Sequence, residues 1–153
     1  MIFASREKAV FGQFESGTGA LPGAGGVQHL VRRLGRARAI EVIVSADDFD
    51  ADTAERYGWI NRALPDSELD GFVERLAKRI AGFPSEGVRV AKRVVNDLTL
   101  ASPAHIRSDA ATFQSLIARP ESRERLDYLA GWGLQTPGDL ERDLGKAVGD
   151  FPR

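Results

Sequence analysis

One carboxylate stands in the most glycine-rich stretch of the sequence. Residues 11 to 30 read FGQFESGTGALPGAGGVQHL, and the only acidic residue among them is Glu15. Dense glycine indicates a backbone that turns tightly or is closely approached by another group. A short strand, a carboxylate, a glycine-rich turn and a helix start therefore suit a site that holds Glu15 over a cavity for acid/base chemistry. On the pattern alone, an ordinary Gly/Pro loop before a helix is the favoured interpretation.

The glycines do not form either of the common phosphate-binding loops. A Walker loop needs a lysine after its last glycine, and no lysine follows these glycines. A dinucleotide fingerprint needs G-x-G-x-x-G, whereas Gly17 and Gly19 are followed at the third glycine position by Pro22. The spacing therefore argues against nucleotide binding here.

The same stretch carries two ordered motifs. Phe11-Gly12-Gln13-Phe14-Glu15 is followed by Gly19-Ala20-Leu21-Pro22-Gly23-Ala24-Gly25-Gly26 and then by Leu30. It resembles the enoyl-CoA hydratase/isomerase family, the crotonases, whose members carry F-G-x-P-E and then G-x-x-P-G-x-G-G-x-x-x-L. The resemblance continues in GRARA at 35–39, DTAERYGWINR at 52–62 and AKRVVN at 91–96.

The resemblance implies a chemistry. Glu15 matches the second of two family glutamates, whose implied role is acid/base work on water or on the substrate carbon. The parent reaction would be reversible hydration of 2-enoyl-CoA thioesters, with the coenzyme A thioester as substrate and no metal or redox cofactor. The implied substrate-binding positions are Phe14, Gly19, Pro22 and Gly23. Isomerases, hydrolases, dehalogenases and decarboxylases of the same family stay open as alternatives.

Two departures from the family pattern surround Glu15. Phe14 replaces the usual proline, so the fixed φ before the carboxylate is lost. Ser16-Gly17-Thr18 replaces a mostly apolar segment. Between Phe11 and Phe14 the carboxylate is expected to be desolvated, which would raise its pKa, and the alternative is a solvated loop carboxylate.

The resemblance also implies that the chain is roughly the C-terminal half of a crotonase, with Met1 at the position of an internal methionine. The first family glutamate, both oxyanion-hole N–H groups and most acyl-CoA contacts would then lie upstream. We expect little or no activity from the chain alone. The alternative function is a non-catalytic crotonase-like remnant that acts as an assembly or interaction module.

The composition excludes several other classes. Among 153 residues, 42% are hydrophobic, the net charge is -1, and there is no cysteine. This balance gives no reason to expect a nucleic-acid or membrane partner, and the missing cysteines fit a cytoplasmic protein. With two histidines a zinc site is not expected, and Asp47-Asp48 is interpreted as part of a solvated loop.

Periodicity predicts a mostly α-helical chain with a few short N-terminal strands. The resemblance implies an α/β crotonase-like (ClpP/crotonase spiral) fragment, a single domain over 1–153, with 1–64 as the last part of the spiral core and 65–153 as a C-terminal helical region. Strands are predicted at 2–5, 9–11 and 59–64, and no sheet partners are evident for the first two. The predicted helices, in order, cover 24–33, 36–45, 51–57, a segment capped by Asp66 or Ser67 and ending at 81, 85–98, 102–118, a segment from 120, and one from 139. In the family such C-terminal helices pack onto the spiral core and between subunits, which implies a homo-oligomer, a trimer or a hexamer. The alternative is that these helices fold back on this chain alone.

Overall fold

The structure is a computed structural model that describes residues 1–152. Its strands and helices in chain order are β1 (Phe3–Ser5), β2 (Val10–Gly12), a 3₁₀ helix (Phe14–Thr18), α1 (Gly26–Leu34), α2 (Arg36–Ser45), β3 (Asp48–Asp50), α3 (Ala51–Tyr57), β4 (Arg62–Leu64), α4 (Asp66–Ala81), α5 (Ser85–Thr99), α6 (Pro103–Ile117), α7 (Pro120–Gly131), α8 (Asp139–Arg142) and α9 (Leu144–Gly149). None of these helices is long and apolar enough to cross a membrane.

The chain is divided into two compact units. The first contains residues 1–9 and 51–100, and the second contains residues 10–50 and 101–153. Each unit is therefore built from two segments that are far apart in sequence. β1 and β2, for which the sequence showed no evident partners, each pair with another strand of the same unit.

In the first unit, β1 pairs in parallel with β4, with Ala4 opposite Ala63. Arg6, in the turn after β1, donates to the Asp52 carboxylate at 3.0 Å. Phe3 meets Phe72 of α4 edge to face, with ring centroids 5.1 Å apart. The unit thus joins residues nearly sixty positions apart through the strand pair and nearly seventy positions apart through the aromatic contact.

Both long helices of the first unit follow a proline; α5 begins at Ser85 as predicted, whereas α4 lacks the side-chain cap that was expected. Asp66 or Ser67 was predicted to cap α4, but the N-cap is Pro65, and no side chain caps the helix. Proline has a fixed φ and favours extended conformations for the residue before it, so it defines this boundary without a hydrogen bond. In α5 no residue is buried, and its apolar side chains Val94, Val95 and Leu98 are exposed.

In the second unit, β2 pairs antiparallel with β3, with Phe11 opposite Phe49. β3 corrects the interpretation of Asp47-Asp48 as part of a solvated loop. Asp48 lies in β3, is half-buried, and its Oδ2 accepts a hydrogen bond from the Gly145 N–H at 2.8 Å.

The C-terminal helices of this unit start as the sequence predicts. Ser102 caps α6 by accepting a hydrogen bond from the His105 N–H at 3.2 Å, and Pro103 is the first helical residue. Pro120 likewise opens α7. α7 and α9 enclose a core of Ala46, Leu129 and Val148, against which Phe14 packs.

Candidate active site

Glu15 lies on the five-residue 3₁₀ helix between β2 and the glycine-rich turn. The helix ends at Gly19, whose φ of 80° is in the left-handed region that glycine adopts without strain. The Glu15 carbonyl accepts two hydrogen bonds, from the Ala20 N–H at 2.8 Å and from the Thr18 hydroxyl at 2.9 Å. Short-range bonds therefore fix the backbone of Glu15.

The Glu15 carboxylate is half-buried, and its Oε2 is buried without a hydrogen-bond partner among residues 1–152. Burial raises the pKa of this carboxyl, and a hydrogen bond from its own backbone N–H opposes the shift. The expectation of a desolvated carboxylate is thereby confirmed. A carboxyl in this state can hold or release a proton nearer neutral pH than an exposed glutamate.

Helices α7 and α9 pack against this 3₁₀ helix at its glycines. A Cβ on Gly17 would lie 2.6 Å from Val148 Cγ2 of α9, and a Cβ on Gly19 would lie 2.7 Å from Ser122 Oγ of α7. Both distances are shorter than real side-chain contacts, so glycine is required at both positions for the helices to approach this closely. Within the Ser16-Gly17-Thr18 segment, the close approach of α9 thus accounts for Gly17.

The five predicted site residues fall into two places. Phe14, Glu15 and Gly19 belong to the 3₁₀ helix or its cap, and Phe14 is half-buried in the hydrophobic core. Pro22 is buried and Gly23 lies in the turn before α1, where a Cβ on Gly23 would lie 2.5 Å from Phe113 of α6. The observed contacts of Phe14 and Gly23 are with protein side chains, and their substrate-binding roles stay predictions.

Two cavities border the 3₁₀ helix. One has a volume of about 390 Å³ and is lined by Ser16, Gly17, Gly19, Arg125, Val148, Gly149 and Phe151. The other has a volume of about 160 Å³ and is lined by Val10, Gly12, Phe14, Asp48, Glu141 and Leu144. A third, of about 630 Å³, is lined by residues of α7 to α9 and their flanks.

The sequence indicated no functional role for Ser122 or Arg125, which lie beside the 3₁₀ helix, and Asp48 was assigned to a solvated loop. Ser122 and Arg125 contact the 3₁₀ helix from α7, and Asp48 joins β3 to the start of α9. Burial raises the pKa of the Asp48 carboxyl, and the backbone N–H groups of Gly145 and Lys146 oppose the shift. Ser122 and Arg125 have the i, i+3 spacing of residues on one helix face, and this spacing is the only feature of the sequence that relates them to each other.

Within the part of the chain that the structure describes, no group of three or more His, Asp or Glu side chains is placed to hold a metal ion. Asp48, the best-placed carboxylate of the acidic segment before α3, is already bonded to the Gly145 N–H.

Comparisons with known proteins agree on one family. Residues 1–130 match the family model described as Enoyl-CoA hydratase/isomerase. The "Probable enoyl-CoA hydratase, mitochondrial" of Dictyostelium discoideum is 33% identical over 82% of this chain and 46% of its own length. The Short-chain-enoyl-CoA hydratase of Clostridioides difficile is 42% identical over 58% of this chain and 57% of its own length.

Solved structures give the same result. The crystal structure of a "putative enoyl-CoA hydratase" from Streptomyces avermitilis superposes with a TM-score of 0.94 at 51% identity, and the match covers 99% of this chain and 54% of that one. The chain thus spans about half the length of the relatives that it matches. The crotonase-type fold and its partial extent, both expected from the resemblance, are confirmed.

Proposed function

Because the chain belongs to the enoyl-CoA hydratase/isomerase family, we propose that it carries part of a site for the reversible addition of water to 2-enoyl-CoA thioesters. Glu15 is the proposed acid/base. The observation that supports this role best is its half-buried carboxylate, with an unpartnered Oε2 and a raised pKa, on the motif position of a family glutamate.

The chemistry needs three groups. A base takes a proton from water as its oxygen bonds to the β carbon, an acid gives a proton to the α carbon, and N–H donors stabilise the charge on the thioester oxygen. Glu15 supplies one of the two proton-transfer steps. The other glutamate and the donors are proposed to come from the remainder of the family fold. Loss of a single donor costs ~100- to 1,000-fold in rate, so the chain alone is expected to be nearly inactive.

The substrate is proposed to be an acyl-CoA, bound beside Phe14, Gly19, Pro22 and Gly23 without a metal or redox cofactor. The addition of water to a C=C bond involves no net oxidation or reduction, so it needs acid/base groups and no redox cofactor. The protein is proposed to act in the cytoplasm as a homo-oligomer, a trimer or a hexamer.

A second candidate is a non-catalytic assembly module. It is favoured by α5, whose apolar side chains Val94, Val95 and Leu98 are exposed. Exposed apolar patches of this kind commonly mark interaction surfaces. The two candidates differ in whether Glu15 matters to any reaction.

A chimera tests the first candidate. This chain would replace the matching part of the Streptomyces avermitilis protein, and hydration of crotonyl-CoA would be followed by loss of the enoyl-thioester absorbance. We expect the chimera to be active and Glu15→Gln to reduce kcat by ~100-fold or more, because the amide cannot exchange the proton. Glu124→Gln, on the exposed surface of α7, is the matched control and should leave kcat unchanged.

Two results would contradict the proposal. An active chimera whose kcat survives Glu15→Gln would remove Glu15 from the chemistry. A folded but inactive chimera, beside an active Streptomyces parent, would favour the assembly module.

A further inference from the structure

The 3₁₀ helix that carries Glu15 is a weak element by itself. It has five residues, its N-cap Gln13 forms no side-chain cap, and it contains Gly17. Short 3₁₀ segments have poor hydrogen-bond geometry, and glycine adds backbone freedom in the unfolded chain. Since Phe14 lacks the fixed φ of a proline, contacts from outside the helix add to the short-range bonds that hold the backbone of Glu15.

Arg125 of α7 supplies a contact from outside. Its Nη1 donates to the Gly17 carbonyl at 3.1 Å, across 108 positions of sequence. Its guanidinium carbon lies 4.2 Å from the centroid of the Phe151 ring, a cation–π arrangement that limits the positions of the side chain. Hydrogen bonds from a charged donor are stronger than those between neutral groups.

Ser122, one turn earlier on α7, makes the second contact. It is fully buried, its Oγ has no hydrogen-bond partner among residues 1–152, and it faces Gly19 at the end of the 3₁₀ helix. Ser122 therefore limits the approach of α7, while Arg125 bonds to the helix two residues before Gly19. On another side, Val148 of α9 contacts Gly17.

We propose that Arg125 is the positioning residue of this site, and that its bond to the Gly17 carbonyl holds the 3₁₀ helix so that Glu15 stays in its half-buried orientation. The catalytic meaning of this proposal rests on the proposed function. The structural part stands on the contacts of Arg125, Phe151 and Ser122 alone. Arg125 bonds to the Gly17 carbonyl, and its proposed effect on the chemistry is exerted through the position of Glu15.

The full chain tests the proposal by NMR. The Glu15 carboxyl carbon, assigned by its loss in Glu15→Gln, is titrated in the wild type and in Arg125→Met. We expect Arg125→Met to move the titration midpoint of Glu15 toward that of an exposed glutamate, because the released helix lets water reach the carboxylate. We also expect the Gly19 and Ala20 amides, which bond within this helix, to exchange with solvent ~10-fold faster.

Two further variants separate positioning from general destabilisation. Arg123→Met removes an exposed arginine from the same helix and should change neither readout. Arg125→Lys keeps a charged donor and should restore the wild-type titration in part. If Arg125→Met does not fold, Arg125→Gln and Phe151→Leu replace it, and both are expected to shift the titration in the same direction by less.

An unchanged Glu15 titration in the folded Arg125 variants would overturn the proposal. Its failure is distinguishable from failure of the proposed function. A titration that moves in Arg125→Met, beside a chimera insensitive to Glu15→Gln, keeps the positioning role and removes the catalytic one. An unchanged Glu15 titration in Arg125→Met, beside a chimera that loses activity in Glu15→Gln, keeps the proposed function and removes the positioning role of Arg125.

Discussion

Glu15 couples its protonation to the stability of the fold. Its pKa in the folded state is raised by burial above the ordinary value of 4.5. The folded state therefore binds its proton more tightly than the unfolded state does. Stability from this group is then highest below the unfolded pKa, and it falls as pH rises through the folded pKa. At pH values above the folded pKa, the buried and ionised carboxylate lowers the free energy of unfolding by a constant amount.

Glu15→Gln should remove this cost. We expect the variant to have a higher free energy of unfolding than the wild type at neutral pH, and the difference to vanish below about pH 4, where both forms are neutral. Urea unfolding at the two pH values measures it. Glu124→Gln is the control, since that exposed carboxylate has no burial to relieve. A variant less stable than the wild type at neutral pH would show that the Glu15 carboxylate makes a favourable bond.

The sequence predicted part of this site. The two flanking phenylalanines and the family motif indicated a desolvated Glu15, and the structure bears this out. Arg125 and Ser122 were not predicted, because their partners in the 3₁₀ helix lie more than a hundred positions away. A charged residue on a helix with no known neighbour carries no sign of what it will contact. Only the packing of α7 onto Gly17 and Gly19 reveals their role.

At the level of elements, α9 depends on one close backbone approach. A Cβ on Gly145 would lie 2.6 Å from the Asp48 backbone nitrogen, and the Gly145 N–H donates to the Asp48 carboxylate. β3 and α9 are therefore joined at a point where only glycine fits. Because the obstacle is backbone, a side-chain rotation cannot relieve it.

Gly145→Ala should therefore push α9 away from β3. We expect the free energy of unfolding to fall by about 1–3 kcal/mol, the usual cost of overpacking. Gly149→Ala is a matched control on the same helix, because a Cβ there meets nothing within 4 Å. It should be neutral or slightly stabilising. Equal effects of the two substitutions in urea unfolding would contradict the close approach.

Locally encoded elements were predicted best. The sequence predicted α2 over 36–45 and α3 over 51–57 with the bounds that the structure has, since periodicity and Gly58 define them within a few residues. β3 was missed because a three-residue strand rich in aspartate is recognisable only from its partner β2. The 3₁₀ helix and α9 were missed for a related reason, since packing stabilises them more than propensity does.

At the scale of the whole molecule, α5 presents apolar side chains with no cover from described residues. Leu98 is 80% exposed and Val95 is 58% exposed. We expect Leu98→Lys to change the free energy of unfolding of the isolated chain by no more than about 0.5 kcal/mol, as for other surface substitutions. If copies assemble through this face, the same substitution should lower the molar mass measured by light scattering.

Asp97→Lys is the control for that measurement, because it places a lysine on the exposed surface of the same helix and removes no apolar side chain. We expect its molar mass to match that of the wild type. A Leu98→Lys protein whose mass also matches the wild type would exclude this face from the assembly.

Because the second unit consists of two segments that are far apart in sequence, its parts are synthesised at different times. A ribosome releases residues 10–50 long before it makes α7 and α9, whereas both segments of the first unit have been translated once residue 100 is made. At about 5–20 residues per second, the fifty residues that follow residue 100 take roughly 3 to 10 s. Arg125 is translated about halfway through that time and Val148 near its end, and until then neither can pack against the nascent 3₁₀ helix. The surroundings of Glu15 are thus completed only after both segments of the first unit have been translated, and a polypeptide released before α7 would carry the glutamate without the helices that pack against its 3₁₀ helix.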